Sequence, residues 1–69
     1  MTKHELEEHL NREPFQPFRV NTADGKSVEI RNPRMVVPTE TRLFIVAAND
    51  SWHYIVLRQV TSIESLQAA

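Results

Sequence analysis

The chain has 69 residues, eight Lys or Arg against nine Asp or Glu, and no cysteine. That length makes one domain and leaves no room for a second. The near-balance of charge argues against a protein that coats nucleic acid through a strongly basic surface, and the lack of cysteine excludes disulfides and thiolate metal sites.

A chain this short buries only about 60% of the surface its unfolded form exposes. Its core supplies roughly 3–5 kcal/mol at best, so either the packing is unusually good or a partner subunit contributes. The longest apolar run, Leu43 to Ala48, is far too short to cross a bilayer. Residues 1–12 carry too much charge for a signal peptide. The expectation is a cytoplasmic protein with no membrane partner.

In chain order, Thr2-Lys3-His4-Glu5 reads as a capping box, followed by Leu6 and Leu10 at i,i+4. Glu5/His9 and Glu8/Arg12 are favourable pairs on the flanks. The residue before Pro14 avoids the α region, so the spacing predicts a helix over about 2–12. Ten residues are too few to be helical alone, so this helix must dock through its two leucines. Pro14-Phe15-Gln16-Pro17-Phe18 is then a stiff connector whose phenylalanines can pin the helix to the sheet.

From about residue 18 to 66 the pattern is β. Phe18 and Val20 alternate with polar residues on one side of Asp24-Gly25, and Val28 and Ile30 do so on the other. A two-residue turn would set Val20 opposite Glu29 and mix the faces. A three-residue loop, Ala23-Asp24-Gly25 with Gly25 left-handed, pairs Val20 with Val28, Phe18 with Ile30 and Arg19 with Glu29. Asn32-Pro33 breaks or bends the second strand, which resumes over Arg34–Val37. Arg42–Ala48, Trp52–Leu57 and Thr61–Leu66 read as further strands, with turns at Thr39-Glu40-Thr41, Asn49-Asp50-Ser51 and Arg58-Gln59-Val60. Gln67–Ala69 is expected to fray. This gives an α+β, mostly β domain: a short helix and about five antiparallel strands.

A helix, five short strands and a turn before the last resemble a small SH3-like barrel, and the Sm-like version adds such an N-terminal helix. Asn32-x-x-Met35 is similar to the Asp-x-x-Met spacing of the first Sm motif. The Arg-Gly pair of the second is missing, with Leu57-Arg58-Gln59-Val60 in its place. Pro14 to Arg19, Asp24-Gly25-Lys26 and Asn32-Pro33 resemble, over most of the chain, a group of short uncharacterised bacterial proteins. Those share a Pro-Phe-x-Pro-Phe-Arg connector, an Asp-Gly-Lys/Arg hairpin and a His-Pro-type bend. The chain departs from them at Asn32 and Arg34, where His and Glu are expected. That resemblance implies the fold and a bacterial origin, and no activity.

Asp50, Ser51 and His53 are the residue types of a hydrolytic triad, but a triad needs convergence across a fold plus an oxyanion hole, and Asp50 is an ordinary turn former. His4 and His9 lie about 140° apart around a helix and cannot share a metal. No catalytic residue, metal site or cofactor is therefore expected, and a chain this short has little room for a pocket of about 300 Å³.

The third and fourth strands are apolar on both alternating faces, as strands covered on both sides are. One face can look into a barrel; the other needs the helix or a second subunit. Trp52 and Tyr54 share one strand face and fit a core, a subunit interface or a base-stacking platform. The favoured expectation is a non-enzymatic interaction module that self-associates through its sheet, with Trp52, Tyr54, Phe44 and Val46 as interface candidates. The alternative is an Sm-like RNA binder whose basic rim uses Arg31, Arg34 and Arg58. The six basic residues of the β region face five acidic ones there, so a mixed solvated surface is the plainer reading.

Overall fold

A computed structural model describes residues 1–66; the expectation for Gln67–Ala69 lies outside the described residues. Helix α1 (Lys3–Leu10) begins at Thr2, whose Oγ1 accepts the Glu5 N–H at 3.2 Å. The return bond differs from a standard capping box: the Thr2 hydroxyl, not its backbone N–H, donates to Glu5 Oε1 at 3.2 Å. The helix ends two residues earlier than its pattern suggests, with the Asn11 N–H bonded to the Glu7 carbonyl at 2.9 Å. The two expected flanking pairs give way to other partners: Glu8 pairs with His4 at 2.8 Å, Arg12 donates to Gln16, and His9 lies against the Phe18 ring.

Strands β1 (Phe18–Thr22) and β2 (Ser27–Ile30) form the expected hairpin, with Phe18 opposite Ile30, Arg19 opposite Glu29 and Val20 opposite Val28. Gly25 sits at φ +87°, a conformation that costs glycine nothing. The Thr22 N–H bonds the Lys26 carbonyl at 2.9 Å and the Gly25 N–H bonds the Thr22 carbonyl at 3.1 Å.

The bend after β2 differs from the sequence reading. Pro33–Met35 is a 3₁₀ turn capped by Asn32, whose side chain accepts the Arg34 N–H at 2.9 Å. The chain leaves this turn as a separate strand, β3 (Val36–Pro38), in a different sheet. There are thus six strands rather than about five. The physical reason is that the turn redirects the chain, so Val36–Pro38 pairs with a later strand rather than continuing beside β1.

β4 (Arg42–Val46) and β5 (Trp52–Val56) complete that sheet, and a 3₁₀ turn at Leu57–Gln59 leads to β6 (Val60–Ser65) beside β1. The molecule is therefore two three-stranded antiparallel sheets, ordered β2-β1-β6 and β3-β4-β5. Between β4 and β5 the chain reverses with Asn49 and Asp50 both at positive φ, 67° and 61°, which these two residue types tolerate.

One core joins the two sheets and the helix. Phe18, Val20, Val28 and Ile30 come from the first sheet, Val36, Leu43, Ile45 and Ile55 from the second, Leu57 from the last turn and Leu6 and Leu10 from α1. Leu6 is fully buried. Lys3 reaches Glu40 in the β3–β4 loop at 3.6 Å, so the helix packs on the β3 side.

Candidate interaction surface

Side chains alternate across each strand, so each sheet has an inner face on the core and an outer face. The two outer faces differ in chemistry. That of β2-β1-β6 carries Arg19, Asn21, Ser27, Glu29, Ser62 and Glu64, opposite one another by register. Arg19 donates to Glu29 at 3.0 Å, and the Asn21 amide donates to Ser62 at 3.0 Å and Glu64 at 2.6 Å. The guanidinium of Arg19, reinforced by that of Arg31, holds the Glu29 carboxyl below its usual range. This face is polar and internally satisfied.

The outer face of β3-β4-β5 is apolar. Val37, Phe44 and Tyr54 stand in one row by register, and Val46 and Trp52 in the next. Trp52 is 64% exposed, Val37 58%, Val46 55%, Tyr54 48% and Phe44 39%. The Phe44 ring lies 4.6 Å from that of Tyr54 and 6.3 Å from that of Trp52. Arg42 closes one end of the stripe, its guanidinium 5.7 Å above the Tyr54 ring. All four interface candidates thus lie together on one open face, and the core reading of Trp52 and Tyr54 does not hold. The helix does not cover them, because its two leucines are spent on the inner side. Sequence reasoning missed Val37 and Arg42 as members of this face. The sequence pattern places Val37 in a bent second strand, and only its pairing with Phe44 puts it here.

The three arginine candidates are not brought together. Arg31 follows β2 and bonds Glu29 at 3.0 Å. Arg34 lies in the turn after β2, and Arg58 in the turn before β6. By strand register these two turns stand at opposite ends of both sheets.

Of the triad residue types, Asp50 lies in the β4–β5 reversal and His53 is half-buried opposite Ile45; among the described residues no ion pair joins them. Nor is any group of three or more His, Asp or Glu placed there to hold a metal ion, and no helix among them is long and apolar enough to cross a membrane. Surface depressions are larger than the chain length suggested. One of about 320 Å³ lies between the β1–β2 hairpin and β5, and another of about 430 Å³ lies by Arg42 and Arg58. Both are open clefts between elements.

Comparison with family models, with curated proteins and with solved structures returns no match for this chain.

Proposed function

We propose that the protein is a non-enzymatic interaction module that self-associates through the outer face of β3-β4-β5. The observation that carries this reading is the contrast between the two outer faces. Five large apolar side chains stand open on one sheet, while the other sheet is coated with paired polar groups. The largest apolar patch of a small protein is often its functional surface, and Trp and Tyr are the types enriched at interface centres. A domain of this size also gains from a partner what its own core cannot supply.

The same reading takes the two sheets as halves of one small SH3-like barrel. What supports it is that the chain passes from one sheet to the other at two 3₁₀ turns, Pro33–Met35 and Leu57–Gln59, around a single core. Light scattering of the wild type and of a Trp52→Ser/Tyr54→Ser variant tests the function. The wild type should exceed its 8.0 kDa monomer mass at high micromolar concentration, and the variant should stay folded and monomeric. A strictly monomeric wild type overturns the proposal.

A second reading, binding of single-stranded RNA, draws on the exposed aromatics with Arg42 over Tyr54, which suit base stacking. Its test is a salt titration: phosphate contacts weaken steeply as salt rises, and Arg42→Ala, which removes the guanidinium beside the aromatics, should weaken binding and flatten that slope. Failure of the wild type to shift any oligonucleotide at low salt removes it.

A further inference from the structure

We propose that the outer face of β3-β4-β5 is covered by the same face of a second copy, turned about a two-fold axis across the strands, so that Arg42 of each copy meets Asp50 of the other. This rests on the self-association reading and adds its geometry. The occupant follows from area. With aromatic side chains presenting 150–250 Å² each, the exposed fractions of the five apolar residues leave roughly 500 Å² open per copy. Two such faces together withdraw about 1,000 Å², the lower bound for a specific interface and the range of weak, reversible ones, so the dimer should form at micromolar rather than nanomolar concentration. An isologous contact places one surface against itself, and this one is apolar through its centre, so like meets like without a buried charge.

The orientation follows from charge. Phe44 and Tyr54 are paired at the middle of the stripe, with Arg42 and Val56 at one end and Val46 and Trp52 at the other. Arg42 is the one charged side chain among the described residues of this face. Arg58 lies just beyond the same end, and the acidic neighbour there, Glu40, is engaged by Lys3. The opposite end leads into the reversal that holds exposed Asp50. An axis along the strands would keep ends together and set Arg42 against its own copy, a repulsive pairing. An axis across the strands at Phe44 and Tyr54 exchanges the ends. Arg42 then reaches the partner's Val46–Trp52 end, with Asp50 as its counter-ion and the Trp52 ring as a cation–π surface.

Sedimentation equilibrium of the full chain at moderate salt tests this. The variants are Arg42→Glu, Asp50→Asn, Asp50→Lys and the double exchange Arg42→Glu/Asp50→Lys. The wild type should sediment as a dimer, each single change should raise its dissociation constant about tenfold, and the double exchange should recover most of that loss. Asp50→Asn keeps a residue that accepts positive φ, so weakening there cannot come from turn strain, and circular dichroism of each variant confirms folding. A wild-type dimer unmoved by the single changes, or a double variant no tighter than the weaker single one, overturns the orientation and leaves self-association standing. A strictly monomeric wild type overturns both. A trimer or larger ring overturns the two-fold arrangement.

Discussion

Gly25 and Glu29 show how single residues shape the β1–β2 hairpin. The left-handed backbone at Gly25 has open space where a Cβ would stand, with nothing within 4 Å. Gly25→Ala therefore carries a backbone cost alone, about 1 kcal/mol. In a domain of this size that lowers Tm by roughly 4–8 °C, measurable by thermal denaturation; an unchanged Tm would mean the loop register is wrong. Glu29 is held below the usual carboxylate range first by its hydrogen bond from Arg19, then by Arg31. A depressed carboxylate contributes stability above its unfolded pKa and loses it as pH falls through the folded one. Glu29→Gln should therefore flatten the fall of stability in acid below about pH 4, leaving the neutral-pH slope unchanged. Denaturant titrations at several pH values read this directly.

At the scale of elements, α1 is too short to hold itself, and its attachment rests on Leu6 and Leu10. Leu6→Ala empties a fully buried site and should cost about 2–5 kcal/mol, a large share of what so small a core supplies. Thr2→Ala removes the helix cap and should cost about 1 kcal/mol. If the helix were peripheral, both variants would melt like the wild type; the prediction is that Leu6→Ala falls far below Thr2→Ala. The second sheet behaves oppositely on its two sides. Leu43→Ala acts on the core and should destabilise at any protein concentration. Val37→Ala, on a side chain 58% exposed, should leave a dilute sample nearly unchanged.

For the whole molecule, the expectation is that stability depends on concentration. Association that favours the folded chain raises Tm as protein concentration rises. Calorimetry from low to high micromolar concentration should show such a rise for the wild type, and none for Trp52→Ser/Tyr54→Ser. A wild-type Tm independent of concentration would count against association. The division of labour between the sheets is what makes this specific: the polar face of β2-β1-β6 has its groups bonded to one another, so the apolar face is where a partner gains most.

Much of this was legible in the sequence because it depends on neighbours along the chain. Thr2 and Glu5 specify a helix start, Asp24-Gly25 with its flanking valines specifies the hairpin and its register, and the double-sided apolar strands mark the sheet that carries an apolar outer face as well as an inner one. Local spacing and φ preferences decide those features. Tertiary structure decided the rest. Whether Trp52 and Tyr54 are core or surface turns on which side of β5 meets the inner leucines and isoleucines, and strict alternation of apolar residues on both faces leaves that undetermined. Val37 joins the open face only through pairing with Phe44, and Arg34 and Arg58 stand apart only because two turns lie at opposite ends of the sheets. Those are long-range facts of strand pairing, set by which strand closes on which, and no local pattern encodes them.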